Sequence, residues 1–366
     1  MASQLFAPLN LGRLELPNRI VIAPMCQYSA EDGSATDWHL QHLSALGFSG
    51  AGLAMVEATA VERRGRISHG CLGLYSDGNE AALSRALAAA RRYAGPTRFG
   101  IQLAHAGRKA STPLPWAGKQ GSLAAEDDPW PTIAPSALPF DKGWATPAAL
   151  DEDGLAAVIA AFVDAAHRAQ RLGFDVVELH GAHGYLMHEF LSPISNRRTD
   201  SYGGDLANRM RFPLEIARAV RDVLPTSMAL GARITGTDWV EGGWTVEDAV
   251  VFARELRDLG LDYVCVSSGG IAPKAAIPVG PGYQVPLAAQ VKAEAKIATR
   301  AVGMISQPEQ AEEIVASGKA DMVALARAFL DDPRWGWHAA DRLGGKVHCP
   351  PQYQRARPPA WNPAVQ

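Results

Sequence analysis

Residues 156–180 read AAVIAAFVDAAHRAQRLGFDVVELH, a helical period that stops at a glycine and turns at once into a short apolar run. Val158, Ile159, Phe162, Val163 and Ala166 recur at helical spacing, which predicts one buried stripe. Gly173 stands where a helix end favours positive φ, and residues 176–179 form a compact run, apolar but for Glu178, as a strand covered on both faces does. The unit recurs twice. In TVEDAVVFARELRDLGLDYVCVS (245–267), Thr245 and Asp248 predict a capping box, Gly260 the helix stop and 263–266 the strand. In SQPEQAEEIVASGKADMVALA (306–326), Ser306 and Glu309 predict the capping box, Gly318 the stop and 322–325 the strand.

Working outward, apolar runs at 20–23, 53–56, 99–103, 228–232 and 297–302 complete a set of eight strands. Eight strands alternating with amphipathic helices predict an α/β fold, a closed (β/α)8 TIM barrel. The gap after the third strand is the longest. Its sequence is rich in Pro, Gly and Trp without helical period, so residues 104–150 are expected as an excursion over the barrel mouth, a lid or capping subdomain. The whole chain, 1–366, is expected as one domain, with 346–366 as a C-terminal tail at a subunit interface.

Bulk properties exclude several classes. A net charge of −3 over 366 residues offers no pull toward nucleic acid or an anionic membrane. The longest apolar stretch, LAAVIAAFV from Leu155, is too short to span a bilayer. MASQLFAPLN lacks the basic head and apolar body of a signal peptide, so a cytoplasmic location is expected. Cys26, Cys71, Cys265 and Cys349 form no CxxC pair, which argues against a disulfide framework or a cysteine metal site.

In a barrel the C-terminal strand ends share one rim. That rim gathers residues 23–28 and 57–59, Gln102 and His105, His180, His183 and Tyr185, Arg233, the run 267–270, Gly303, and Ala326 with Arg327. The stretch HGAHGY (180–185) admits three readings. The histidines are ordinary hydrogen-bonded residues; or they bind a metal with His105 as third ligand; or their N–H groups polarise an electron-rich oxygen beside the weak acid Tyr185. GFSGAG (47–52) precedes a strand, whereas a dinucleotide fingerprint must follow one, so it reads as a helix-to-strand turn. Gly303 and Arg327, at the ends of strands seven and eight, suit a phosphate.

The stretches NRIVIAPMCQYSAEDG, GIQLAHAGRKAS, VVELHGAHGYLMHEFLSPISNRRTDSYGGDLANRMRF and ALARAFLDDPRW resemble the Old Yellow Enzyme family of FMN-dependent ene-reductases. Cys26 and the compact length look like its bacterial branch of thermophilic-like and xenobiotic reductases. The resemblance implies a non-covalent FMN, NADPH or NADH as electron donor, and hydride transfer from flavin N5 to the β-carbon of an α,β-unsaturated carbonyl or nitro compound. It further implies that His180 and His183 bind the substrate oxygen and Tyr185 protonates the α-carbon. Ala23, Pro24, Met25, Cys26, Ala58, Gln102, His180, Arg233, Gly270, Gly303, Ala326 and Arg327 would contact FMN, while Cys26 and Tyr28 would also meet substrate. Arg355, with Arg357 close by, would reach a neighbouring subunit, which implies a homodimer or higher homo-oligomer. No metal is expected in this reading. A metal-dependent barrel hydrolase or aldolase, and a flavin-binding protein without turnover, are the alternatives. Related dienoyl-CoA reductases and amine dehydrogenases need clustered cysteines, which this chain lacks.

Overall fold

The structure is a computed structural model that describes residues 2–361; of the expected tail, residues 362–366 lie outside the described residues. The strands β1 (Leu9–Leu11) and β2 (Leu14–Leu16) form an antiparallel hairpin. Their leucines Leu11, Leu14 and Leu16 pack with Leu53, Val176, Tyr263 and Met322, filling the N-terminal end of the barrel that follows. That barrel comprises β3 (Ile20–Ile22), β4 (Leu53–Ala60), β5 (Arg98–Ala104), β8 (Val176–Gly181), β9 (Ala229–Thr235), β10 (Tyr263–Ser267), β11 (Ala298–Ala301) and β12 (Met322–Leu325). All eight are parallel, each pairs with the next, and β12 returns to β3, closing the barrel that the repeated unit predicts. Between β5 and β8 lies a two-residue parallel pair, β6 (Ile133–Ala134) with β7 (Ala148–Ala149).

The connecting helices are α1 (Asp37–Gly47), α2 (Asp77–Arg91), α3 (Glu152–Arg171), α4 (Leu186–Leu191), α5 (Leu206–Val223), α6 (Val246–Asp258), α7 (Val285–Ala295), α8 (Pro308–Ala316), α9 (Arg327–Asp331) and α10 (Trp335–Leu343). Among the described residues, no helix is long and apolar enough to cross a membrane. Helix α3 starts at Asp151, whose side chain accepts from Gly154 N, and buries Leu155, Val158, Phe162, Ala165, Ala166 and Ala169. The buried stripe is rotated from the expected one: Ile159 and Val163 lie half-buried at its edge, because small alanines occupy the line of closest approach. Burying Phe162 stabilises by roughly 1.5–3 kcal/mol.

Gly173, Gly260 and Gly318 all take positive φ after their helices, as the repeat requires. Thr245 and Asp248 form the expected capping box. Ser306 and Glu309 do not. Pro308 occupies the first turn of α8, the cap is Gln307, and Gln310 Oε1 instead accepts from Ser306 N at 3.2 Å. Strand β4 runs four residues past the expected end at Val56, and its pairing with β5 slips between Val56 and Ala58. Glu57 is the extra residue of that bulge, and the slip sets Ala58 opposite Gln102. The segment between β5 and α3 is tied to loops after other strands: Trp130 Nε1 donates to Arg64 O at 2.9 Å, and Arg108 Nη2 to Ile271 O at 2.8 Å.

Candidate active site

The C-terminal ends of β3, β9, β11 and β12 enclose a cavity of about 490 Å³ whose lining includes Ala23, Pro24, Arg233, Gly303, Ala326 and Arg327. Small side chains at 23, 303 and 326 leave a slot between backbone segments, and Arg327 is exposed at its lip. Gly303 cannot be replaced cheaply. Its φ is +112°, and a Cβ there would stand 2.8 Å from Gln284 Nε2. Gln284 is itself fixed, its Oε1 accepting from Ser268 Oγ at 2.9 Å. A guanidinium beside backbone N–H groups is the donor set a phosphate requires.

Arg233 joins this cavity to the histidines. Its Nε donates to Ser267 Oγ at 3.3 Å, and that hydroxyl lies 2.9 Å from His183 Nε2. His183 Nδ1 is in turn 3.3 Å from His180 Nε2, and His180 Nδ1 accepts from Ala182 N at 3.3 Å. With its Nδ1 accepting, His180 carries its proton on Nε2 and donates it to His183 Nδ1; His183 then carries its own proton on Nε2 and donates to Ser267 Oγ, whose hydroxyl donates to Ile234 O. The two imidazoles therefore engage each other, and both nitrogens become donors to a third group only when Ser267 turns its hydroxyl to His183 Nε2 and the His183 proton moves to Nδ1. Burial, then the positive charge of Arg233, pushes both imidazoles well below their ordinary pKa, so they are neutral donors at pH 7. The Tyr185 ring lies edge-on to His180, centroids 5.0 Å apart, and burial holds its phenol protonated far above the usual range.

A tight turn brings the pair together. His183 adopts φ +60°, a left-handed backbone that costs a non-glycine residue roughly 1–2 kcal/mol. Gly184 follows at φ +73°, and a Cβ there would collide with the Gly270 carbonyl. Gly184 N donates to His188 Nδ1 at 2.8 Å, and His188 Nε2 lies 2.9 Å from Asp238 Oδ1, close but poorly aligned for a straight hydrogen bond. Gly270 is absent from the cavity lining and packs against the His183 backbone.

Met25, Cys26 and Tyr28 lie on a partly buried segment after β3. Gln27 N anchors that segment to Glu57 Oε2 at 2.9 Å, and Glu57 Oε1 lies 3.2 Å from His39 Nε2. Burial, then Glu57, raises the Cys26 thiol pKa, so the sulfur is a thiol. Tyr28 packs edge-on to Trp116 at 5.9 Å. Gln102 Nε2 donates to Glu178 Oε1 at 2.8 Å, which orients its carbonyl oxygen away from Glu178. Ala58 and Tyr185 border a small gap with Cys71.

His105 does not join the other histidines. Gly107 N donates to its Nδ1 at 3.0 Å and its Nε2 meets Glu62 Oε1 at 2.7 Å, so neither nitrogen is open to a metal. Among the described residues, no group of three His, Cys, Asp or Glu side chains is arranged to hold a metal ion. Arg355 is exposed on the tail, outside the cavity of its own chain, while Arg357 pairs with Asp341 at 2.8 Å. Sequence reasoning missed Lys109, Gln284 and the buried pair Glu178–Arg300. The only signal for Lys109 was its place beside His105 and Arg108 in the run AHAGRKA (104–110) at the C-terminal end of β5.

The chain as a whole is similar to several known proteins. The sequence profile of the NADH:flavin oxidoreductase / NADH oxidase family matches residues 4–344. An NADPH dehydrogenase of Listeria innocua is 44% identical over 356 residues, covering 97% of this chain and 99% of that protein. The solved structure of morphinone reductase superimposes with a TM-score of 0.77 at 30% identity, over 96% of this chain and 93% of its own. A 2-naphthoyl-CoA reductase complex superimposes at 0.83 with 25% identity over 93% of this chain, which spans only 52% of that larger protein.

Proposed function

The chain belongs to the NADH:flavin oxidoreductase / NADH oxidase family, within the Old Yellow Enzyme group, and from that premise we propose that it reduces the C=C bond of α,β-unsaturated carbonyl or nitro compounds. It is an oxidoreductase that uses FMN and NAD(P)H. The residues present fit FMN: the slot beside Ala23, Gly303 and Ala326 suits a flat ring, and Arg327 with the neighbouring backbone suits its phosphate. Hydride transfer, from NAD(P)H to the β-carbon of the alkene, is what FMN supplies when bound.

The observation that carries the reading is the pair of neutral imidazoles whose His180 Nε2 and His183 Nδ1 lie 3.3 Å apart; an arriving oxygen displaces their mutual contact as Ser267 donates to His183 Nε2 and frees Nδ1–H to donate. An oxygen there accepts both hydrogen bonds, which stabilises the negative charge it gains as hydride arrives at the β-carbon. Tyr185, protonated and beside His180, then gives its proton to the α-carbon. Arg233 places positive charge at the junction of cavity and histidines, and Gln102, held through its Nε2 by Glu178, would present its carbonyl oxygen to the flavin's pyrimidine edge. Cys26 and Tyr28 bound the substrate side. The chain works in the cytoplasm as a homodimer or higher homo-oligomer, a reading that draws on the exposed Arg355 and the exposed Tyr353 and Trp361 on its tail.

The test is Tyr185→Phe. Its oxidation by cyclohexenone after reduction with NADPH is expected to slow by about 100-fold, with FMN content unchanged. An unchanged rate removes Tyr185 as proton donor. A reduced wild-type enzyme that no enone or nitroalkene reoxidises sinks the substrate class.

A further inference from the structure

Lys109 has no role in the reading above, yet it occupies the centre of the proton-donor corner. Its Nζ donates to His183 O at 2.8 Å and to Gly270 O at 3.0 Å. The same ammonium lies 5.1 Å from the Tyr185 ring centroid and 4.8 Å from that of Phe140, which belongs to the excursion. One cation therefore touches the left-handed histidine, the glycine turn after β10, the proton donor and the segment over the mouth.

We propose that Lys109 is a positioning residue: its ammonium pins the left-handed His183 backbone so that the two imidazole donors converge, and its charge offsets negative charge in the oxyanion and Tyr185 corner. The proposal deepens the ene-reductase reading and rests on it for the part played by Tyr185. In the proton step, the Tyr185 O–H bond breaks and a C–H bond forms at the α-carbon. The phenolate left behind recovers a proton from solvent, and Lys109 is the cation over its ring until it does.

Protonation of Lys109 then matters. Burial pulls its pKa down to about 8, with Glu189 acting to raise it and Arg108 to lower it. The other titratable neighbours are His180, His183 and Tyr185; the imidazoles are already neutral and the phenol protonated across the same range. Glu189 is itself raised to about 8 by burial, so the two groups titrate over the same range. A neutral amine still donates hydrogen bonds, but weaker ones, and carries no charge to the phenol ring.

The experiment needs no turnover: titration of the FMN-loaded enzyme with p-hydroxybenzaldehyde, followed by its long-wavelength absorbance, from about pH 6.5 to 9.5. At the acid end Lys109→Met is expected to bind the phenol about tenfold more weakly than wild type, the loss of charge-assisted hydrogen bonds. At the alkaline end the two should converge to within about threefold, because wild type has lost the same charge. Lys109→Arg, charged at every pH, is expected to stay near wild type at the acid end and to bind more tightly than wild type at the alkaline end. A Lys109→Met to wild-type ratio near one, or a loss that does not change with pH, overturns the proposal. Should Lys109→Met fail to hold FMN, the Lys109→Arg comparison decides, and identical alkaline weakening in Arg variant and wild type overturns it. Reoxidation of the reduced wild type by an enone is read separately. Its failure with the Lys109 effect intact retires the substrate class and keeps the residue's role.

Discussion

Two glutamates on neighbouring elements are fully buried and treated in opposite ways. Glu178, on β8 inside the barrel, has both oxygens committed: Oε1 accepts from Gln102, and Oε2 from the Tyr263 hydroxyl at 2.8 Å and from Arg300. Glu189, on α4 behind the mouth, accepts from Arg108 N at 2.9 Å through Oε1, while Oε2 has no partner among the described residues. Burial pushes its carboxyl up to about 8, although Arg108 and Lys109 draw it down. Depth is equal at the two sites, so the number of donors decides. The barrel floor buys a rigid support for Gln102 with an ion pair, whereas the mouth tolerates a carboxyl that changes charge near working pH.

The largest expected effect comes from removing the better-served glutamate. Glu178→Ala leaves the buried Arg300 without its carboxylate, and its Nε and Nη1 already lack partners. Urea unfolding is expected to show a loss of about 3–5 kcal/mol, the range for breaking a buried pair by one partner. FMN affinity should fall with it, because Gln102 Nε2 loses its acceptor and the amide is free to turn. A loss below 1 kcal/mol would mean that donor count does not distinguish the two sites. Tyr263→Phe sharpens the comparison by removing one donor of three. It is expected to cost about 1–3 kcal/mol in the same assay while FMN stays bound.

The same contrast explains what was legible in the sequence. Helix, glycine and strand recur with periods fixed by backbone geometry, so 156–180 was enough to announce α3 and β8, and the count of eight such strands announced the barrel. The histidine pair was legible because residues at a strand's C-terminal end face the mouth whatever the side chain. Its mode of convergence was not: three-residue spacing suggests a helical turn, and only the positive φ of His183, held by Lys109 and relieved at Gly184, reveals a tight loop. The bulge at Glu57 was hidden because a one-residue slip leaves no mark in an apolar run. Hairpin β1–β2 was hidden because three-residue strands carry no period. Gln102 and Glu178 lie on different strands, and their pairing follows from register alone, Gln102 standing opposite Glu178.

Glu189→Gln makes the smallest and most discriminating change, because it keeps the shape and removes the titration. A folded-state pKa raised to about 8 means that the native chain holds this proton more tightly than the unfolded chain does. The stability it contributes is complete below the unfolded value near 4.3 and is lost as pH rises through about 8. Wild type should therefore weaken across that window relative to Glu189→Gln, whose neutral amide does not titrate. Near pH 5 the variant is expected to melt within about a degree or two of wild type, since a protonated Glu189 already resembles glutamine. Near pH 9 it should be more stable by about 1 kcal/mol, well short of the full linkage value, because glutamine also gives up attraction to Arg108. A variant that is less stable at pH 9 than at pH 5, relative to wild type, would place a second donor on Oε2 and erase the difference between the two glutamates.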